Sequence, residues 1–245
     1  MPPSQQSLSA PARQGTRFPG RSGLLHDSAA WFLGALVALM ISAPFLQHIV
    51  LGAAVESTFL LLLLTAAVLA VGGRRWTLTL AVLLATPVLA ARWLYFAAPA
   101  WVPHEVFLAS FLLFVAFVIA QFLWFILHAP RVNSEVLCAA VSTYLLLGLW
   151  WAIAYGMAAR LSPECFIGAT GATRVLQDLD AVYFSFITIT TVGYGDITPA
   201  SSTTRMLAMT EAITGTMYMA VLVARLVSLY TMEAASKSTE PDKQA

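Results

Sequence analysis

Long apolar segments separated by short polar ones dominate the chain between residues 29 and 230. A membrane-spanning helix needs roughly 20 predominantly apolar residues. A short apolar segment at Ala181–Thr190 cannot span a bilayer, and we predict a re-entrant helix there. Six longer segments predict six spanning helices, at approximately Ala29–Leu46, Ile49–Val71, Trp76–Ala98, Val106–Leu127, Val136–Ala159 and Met206–Tyr230.

The composition agrees with an all-α integral membrane protein. Apolar residues make up 59% of the 245 residues and charged residues only 10%, whereas soluble domains carry about 25% charged residues. The formal net charge of +1 gives no electrostatic signature of nucleic-acid binding. No nucleophile–base set or phosphate loop is evident, so we expect neither an enzyme nor a cofactor. We expect Cys138 to be packed, Cys165 to be exposed in a polar loop, and no disulfide between them.

Basic residues near the ends of the predicted helices indicate the orientation of the chain. They precede the first helix, separate the second from the third and the fourth from the fifth, and follow the sixth. Because cytoplasmic loops are enriched in Lys and Arg, both termini are predicted to be cytoplasmic, in a plasma or bacterial inner membrane. Residues 1–28 are predicted to be a disordered cytoplasmic tail, and residues 231–245 a short one. The basic residues are Arg13, Arg17, Arg21, Arg74, Arg75, Arg131, Lys237 and Lys243.

The segment TTVGYGD, Thr190–Asp196, follows the short re-entrant helix. Non-helical backbone at membrane depth is tolerated only where it is buried in protein or lines a water-filled path. Gly193 and Gly195 can adopt backbone angles that other residues rarely adopt, which would turn successive carbonyl groups toward one axis. Such carbonyls, with the Thr191 hydroxyl, can replace the hydration shell of a monovalent cation. One chain supplies one wall, so a closed ring requires several copies.

With the pore helix DAVYFSFITIT before this segment, ITP after it and a spanning helix beyond, the region from Val136 to Tyr230 resembles the potassium channel superfamily. The resemblance implies a homotetramer in membrane lipid, with K⁺ as the permeant ion. It also implies a pore domain at residues 131–230, and the four apolar segments before it predict a four-helix module at residues 29–130. The selectivity filter would consist of Thr191, Val192, Gly193, Tyr194 and Gly195, with K⁺ held at the first four of these residues.

Four residues near the filter have roles that the resemblance or the local sequence suggests or leaves open. Family members commonly have two tryptophans where this chain has Tyr183 and Phe184, and we predict that the Tyr183 hydroxyl supports the filter by bonding Asp196. Gly215 lies where the family often has a gating hinge, although close packing of small residues explains it equally well. Glu211 either faces the cavity or bonds pore-helix hydroxyls such as Ser185 or Thr188. Asp180 suits the N-cap of the pore helix.

The first four predicted helices lack the charges of a voltage sensor. The fourth, VFLASFLLFVAFVIAQFLWFIL, contains no Lys or Arg, and moving one charge through the membrane field is worth about 2.3 kcal/mol per 100 mV. We therefore predict little or no voltage dependence. Two other functions stay open: a non-selective cation channel, and a regulatory or sensing subunit with a silent pore.

Overall fold

The computed structural model describes residues 28–46, 58–66, 75–97, 104–129, 132–176 and 178–238. The described part does not include residues 1–27, which form most of the predicted N-terminal tail. It also does not include most of the predicted second helix or residues 239–245. The described residues form helices and one small sheet, in the order α1 (Ser28–Leu46), α2 (residues 58–66), α3 (Arg75–Ala97), α4 (His104–His128), α5 (Ser134–Leu161), β1 (Phe166–Gly168), α6 (Asp178–Ile189), β2 (Ile197–Pro199) and α7 (Ser202–Ser238).

Side-chain caps determine where the two helices that flank the pore segment begin. The Asn133 side chain accepts a hydrogen bond from the backbone N–H of Val136 at 3.0 Å, at the start of α5. The Ser201 hydroxyl accepts from the backbone N–H of Thr204 at 3.1 Å, at the start of α7. Such caps satisfy N–H groups that have no partner inside the helix. Because of this cap, α7 begins at Ser202, four residues before the predicted start at Met206.

Three helices of the described part are long and apolar enough to cross a membrane. They lie in α4, α5 and α7, whereas the apolar helical stretches described in α1, α3 and α6 are shorter. The 12 residues of α6 extend only about 18 Å, well short of a hydrocarbon core about 30 Å thick. The molecule is therefore a helical membrane protein, while the prediction of six spanning helices depends partly on residues outside the described ranges.

The helices share one apolar core. Phe114, Val118 and Phe122 follow one another at intervals of four along α4 and are at most 1% exposed, because residues four apart lie on one helix face. The ring centroids of Phe32 in α1 and Phe122 are 5.2 Å apart. The Trp150 indole of α5 donates to the Leu112 carbonyl of α4 at 3.0 Å. The core therefore joins α1, α4 and α5.

A two-stranded antiparallel sheet joins the chain before α6 to the chain after the glycine-rich segment Thr190–Asp196, called the filter segment below after its predicted role. Phe166 pairs with Pro199, and Gly168 with Ile197. The chain is mostly helical, as the all-α prediction requires, and this pair of three-residue strands is an addition that the sequence analysis did not predict. The sheet fixes both flanks of α6 and of the glycine-rich segment.

Cys165 differs from the sequence prediction. It lies just before β1, and its side chain is 2% exposed. Its carbonyl accepts from the Ala200 backbone N–H at 2.8 Å and from the Thr204 hydroxyl at 3.0 Å. Burial raises the pKa of the Cys165 thiol, which makes this thiol less reactive than an exposed one.

The last helix is longer at its C-terminal end than the sequence predicts. It runs to Ser238, whereas the prediction ended it at Tyr230 and began a tail there. The seven residues TMEAASK that follow Tyr230 are rich in Ala, Glu, Met and Lys, which are strong helix formers, so the helix continues although the apolar pattern stops.

Candidate functional site

Two backbone hydrogen bonds hold the segment after α6 against the end of that helix. The N–H of Thr191 donates to the Thr188 carbonyl, and the N–H of Gly193 to the Ile187 carbonyl, each at 2.9 Å. The last carbonyls of a helix have no partner within it. The glycine-rich segment supplies those partners, so the position of the segment is coupled to the position of α6.

The backbone of this segment alternates in the sign of φ. Thr191, Gly193 and Gly195 have φ values of 61°, 52° and 78°, whereas Val192 and Tyr194 do not have positive φ. Alternating the sign of φ aligns successive peptide groups, as in anion-binding nests where the N–H groups converge. The carbonyl groups of successive residues can then point to the same side of the backbone, whereas in an extended strand they point to alternate sides. Such a row can coordinate a desolvated cation.

The sequence analysis did not predict the positive φ of Thr191. A positive φ is uncommon for residues other than glycine, and for a β-branched residue it is an outlier. Residues held in such conformations cluster at functional sites. Only its spacing of two from Gly193 points to it beforehand.

Tyr183 and Asp196 are in contact across the filter segment. The Tyr183 hydroxyl donates to Oδ2 of Asp196 at 2.8 Å, so the predicted hydrogen bond is present, and its importance for the filter stays a prediction. The other carboxylate oxygen of Asp196 is buried without a partner among the described residues. Phe184, the second residue of the pair, points into the core, where its ring centroid lies 4.9 Å from that of Tyr155.

Glu211 of α7 is fully buried between three helices. Its Oε2 accepts from the Tyr155 hydroxyl of α5 at 2.6 Å, and its Oε1 lies 2.5 Å from the Ser185 hydroxyl of α6. Of the two predicted orientations, the chain adopts the one directed at the pore helix. Thr188 is not a partner, since its hydroxyl donates to the Phe184 carbonyl. The sequence gave no indication of the contact with Tyr155.

Three short contacts around Ser185 and Glu211 share the protons of only two hydroxyl groups, those of Ser185 and Tyr155. The Ser185 hydroxyl also lies 2.6 Å from the Gly148 carbonyl, which can only accept. If Ser185 donates to that carbonyl and Tyr155 donates to Oε2, the proton between Ser185 and Oε1 must come from Glu211. Three separate hydrogen bonds therefore form when Glu211 is a neutral carboxylic acid, whereas with an ionised Glu211 the single Ser185 proton would be shared between Oε1 and the Gly148 carbonyl.

Gly215 lies against the C-terminal end of α6. A Cβ atom at this residue would be 2.6 Å from both the carbonyl oxygen and Cγ1 of Ile189. The same carbonyl accepts from the Tyr144 hydroxyl at 3.2 Å. The close packing that the sequence analysis considered is therefore present, and the hinge stays a prediction.

In the first turn of α6, Asp180 has a role other than the predicted one. The helix begins at Asp178, so Asp180 lies inside the first turn and is not the N-cap. Its carboxylate forms an ion pair with Arg174 at 2.9 Å. A carboxylate in the first turn also interacts favourably with the helix dipole.

Residues 136–232 match the model of a protein family described as "Ion channel". This range includes α6, the filter segment, Glu211 and Gly215. It begins two residues after the start of α5 and covers nearly all of α7, so the match falls on the part of the chain that the resemblance identified as a pore domain.

Individual relatives are plant potassium channels. The chain is 48% identical over 50 residues to two-pore potassium channel 4 of Arabidopsis thaliana, over 20% of this chain and 18% of the relative. It is 36% identical over 73 residues to two pore potassium channel b of Oryza sativa subsp. japonica, over 30% of this chain and 21% of the relative. The matches thus span about a fifth of the length of each relative. No solved structure matches significantly.

Proposed function

We propose that this chain is a subunit of a potassium channel that conducts K⁺ passively through a filter formed by Thr191–Gly195. The observation that carries the proposal is the alternation of φ at Thr191, Gly193 and Gly195. It occurs in a segment bonded to the end of a re-entrant helix, within the range that matches the ion channel family.

The channel is proposed to be a homotetramer. One chain supplies one wall of carbonyls, and in the single chain the side chains of Val192 and Tyr194 are 52% and 73% exposed. Apolar side chains of α7 are exposed as well, including Met209, Met219 and Val223. Neighbouring copies around a central axis would cover part of this surface and close the ring. A monomer has no means of surrounding an ion with this segment.

The channel is proposed to lack voltage gating, with both termini in the cytoplasm. Between Glu105 and His128, α4 carries no Lys or Arg. The transmembrane field therefore has no basic side chain to move in this helix. The orientation is supported by the basic residues of the loops.

The test is ion flux into liposomes that contain the purified protein, with K⁺ and Na⁺ compared and a series of imposed voltages. We expect K⁺-selective flux that changes little with voltage. Equal K⁺ and Na⁺ flux would refute the selectivity and favour a non-selective channel. A K⁺ flux that depends steeply on voltage would refute the proposed absence of voltage gating. Absence of flux in any condition would favour a silent pore.

A further inference from the structure

A groove of about 430 Å³ runs between α4 and α7, with α5 at its base. This α4–α7 groove lies in the half of the membrane domain that contains the C-terminal ends of α4 and α7. Its volume is in the range of sites that hold small molecules, roughly 300–1,000 Å³. Its apolar walls include Leu123, Ile126 and Leu127 of α4, Leu147 of α5, and Met217 and Val221 of α7.

Arg225 is the one charged residue among those that line the groove. Its Nη2 donates to the carbonyls of Leu127 and Ala129, at 3.0 Å and 3.3 Å, at the C-terminal end of α4. Its Nε is buried and has no partner among the described residues. It forms no ion pair with any side chain that the structure describes. The guanidinium group at the end of the groove is therefore held by backbone carbonyls but has no anionic partner among the described side chains.

The other polar side chains of the groove are satisfied. The Thr214 hydroxyl donates to the Thr210 carbonyl, and the Tyr218 hydroxyl to the Ala140 carbonyl, each at 2.7 Å. A ligand for this groove therefore needs an apolar body and one anionic group placed at its end. A compact polar metabolite would leave the walls without contact, and a neutral hydrocarbon would leave Arg225 without a counter-charge.

We propose that the α4–α7 groove binds an anionic membrane phospholipid, with one acyl chain between α4 and α7 and the phosphate at Arg225. The chain is a membrane protein, so phospholipid is present at high local concentration. Guanidinium groups bind phosphate through charge-assisted hydrogen bonds, and basic pockets between transmembrane helices bind anionic headgroups. The bound lipid would join the C-terminal half of α7 to the four-helix module.

Native mass spectrometry of the full chain in detergent tests this proposal without measuring flux, so it does not depend on channel activity. Phosphatidylglycerol and phosphatidylcholine with the same acyl chains are titrated separately. We expect tighter binding of phosphatidylglycerol. Arg225→Gln should weaken that binding about tenfold, as expected for the loss of a charge-assisted hydrogen bond. Arg205→Gln is the matched control, because Arg205 is exposed, lies near the other end of α7 and also donates to a backbone carbonyl.

Leu222→Phe provides a second test if Arg225→Gln does not fold. Leu222 lines the groove, so the larger ring should occupy space needed by the acyl chain and weaken phosphatidylglycerol binding while Arg225 is intact. Equal binding of the two lipids, or unchanged phosphatidylglycerol binding in Arg225→Gln or in Leu222→Phe, would overturn the proposal. Binding of oleate without binding of phosphatidylglycerol would overturn the phospholipid and indicate a free fatty acid.

Discussion

Three helical glycines allow the contact of α7 with the C-terminal end of α6 to be tested against matched controls. A Cβ at Gly215 would lie 2.6 Å from the Ile189 carbonyl oxygen, which belongs to backbone. A Cβ at Gly148 would lie 2.7 Å from Cζ of Phe186, a side chain that can rotate. A Cβ at Gly156 would have no heavy atom within 4 Å among the described neighbours. Replacing each glycine by Ala adds the same methyl group in a helix. The three variants therefore differ in what must move to make room for it: backbone, a side chain, or nothing.

The expected magnitudes differ between the three variants. Helix propensity favours Ala over Gly by about 1 kcal/mol in every case. At Gly215, the carbonyl must move from 2.6 Å to at least 3.0 Å, a displacement of 0.4 Å, and overpacking of this kind costs about 1–3 kcal/mol. We expect Gly156→Ala to stabilise the protein and Gly148→Ala to change its stability little. Gly215→Ala should lose up to about 2 kcal/mol net.

The assays are thermal unfolding in detergent and the ratio of K⁺ to Na⁺ flux in liposomes. Ile189 is two residues before Thr191, so a shifted carbonyl should lower the selectivity of Gly215→Ala, whereas Gly148→Ala and Gly156→Ala should be as selective as the wild type. A Gly215→Ala channel with wild-type stability and selectivity would refute the packing argument. If its open probability alone changed, a hinge at this residue would explain the result.

Five further variants, at Glu211, Tyr183, Gly193 and Gly171, test the surroundings of the filter. Glu211→Gln should be tolerated, because a neutral amide can donate to one hydroxyl and accept from the other, as a neutral acid does. Glu211→Leu should lower the midpoint of thermal unfolding. Similar losses of thermal stability in both variants would contradict a neutral Glu211. Tyr183→Phe removes the 2.8 Å hydrogen bond to Asp196, and we expect the K⁺ flux of this variant to decay faster with time than that of the wild type. An unchanged rate of decay would argue that this hydrogen bond does not support the filter. Gly193→Ala should abolish flux because φ at Gly193 is 52°. Gly171→Ala is the control: φ is 77° at this residue in the turn after β1, so the substitution should cost similar stability, about 1–2 kcal/mol, and retain flux. Equal flux in the two variants would mean that the filter conformation is not needed.

Much of the pore region is predictable because its signals are local. Glycine spacing predicts the backbone at Gly193 and Gly195, and the short apolar run predicts a helix that does not span. Contacts between distant helices carry no local signal, so the hydrogen bond from Tyr155 to Glu211 was not expected. Thr191 was not expected at positive φ because its residue type opposes that conformation. Cys165 was predicted to be exposed because its burial depends on a sheet formed by residues on both sides of the filter.

The contacts of α7 are distributed unevenly along its length. Its first turns are held by Thr204 at the sheet and by Glu211 at the pore helix, both fully buried. Tyr218 bonds the Ala140 carbonyl, and seven residues further on, about 10 Å along the axis, Arg225 holds two carbonyls of α4 at the edge of a groove. A displacement that leaves the filter segment undisturbed must therefore occur on the C-terminal side of Tyr218. On that side, the hydrogen bonds of Arg225 place α7 in direct contact with the C-terminal end of α4.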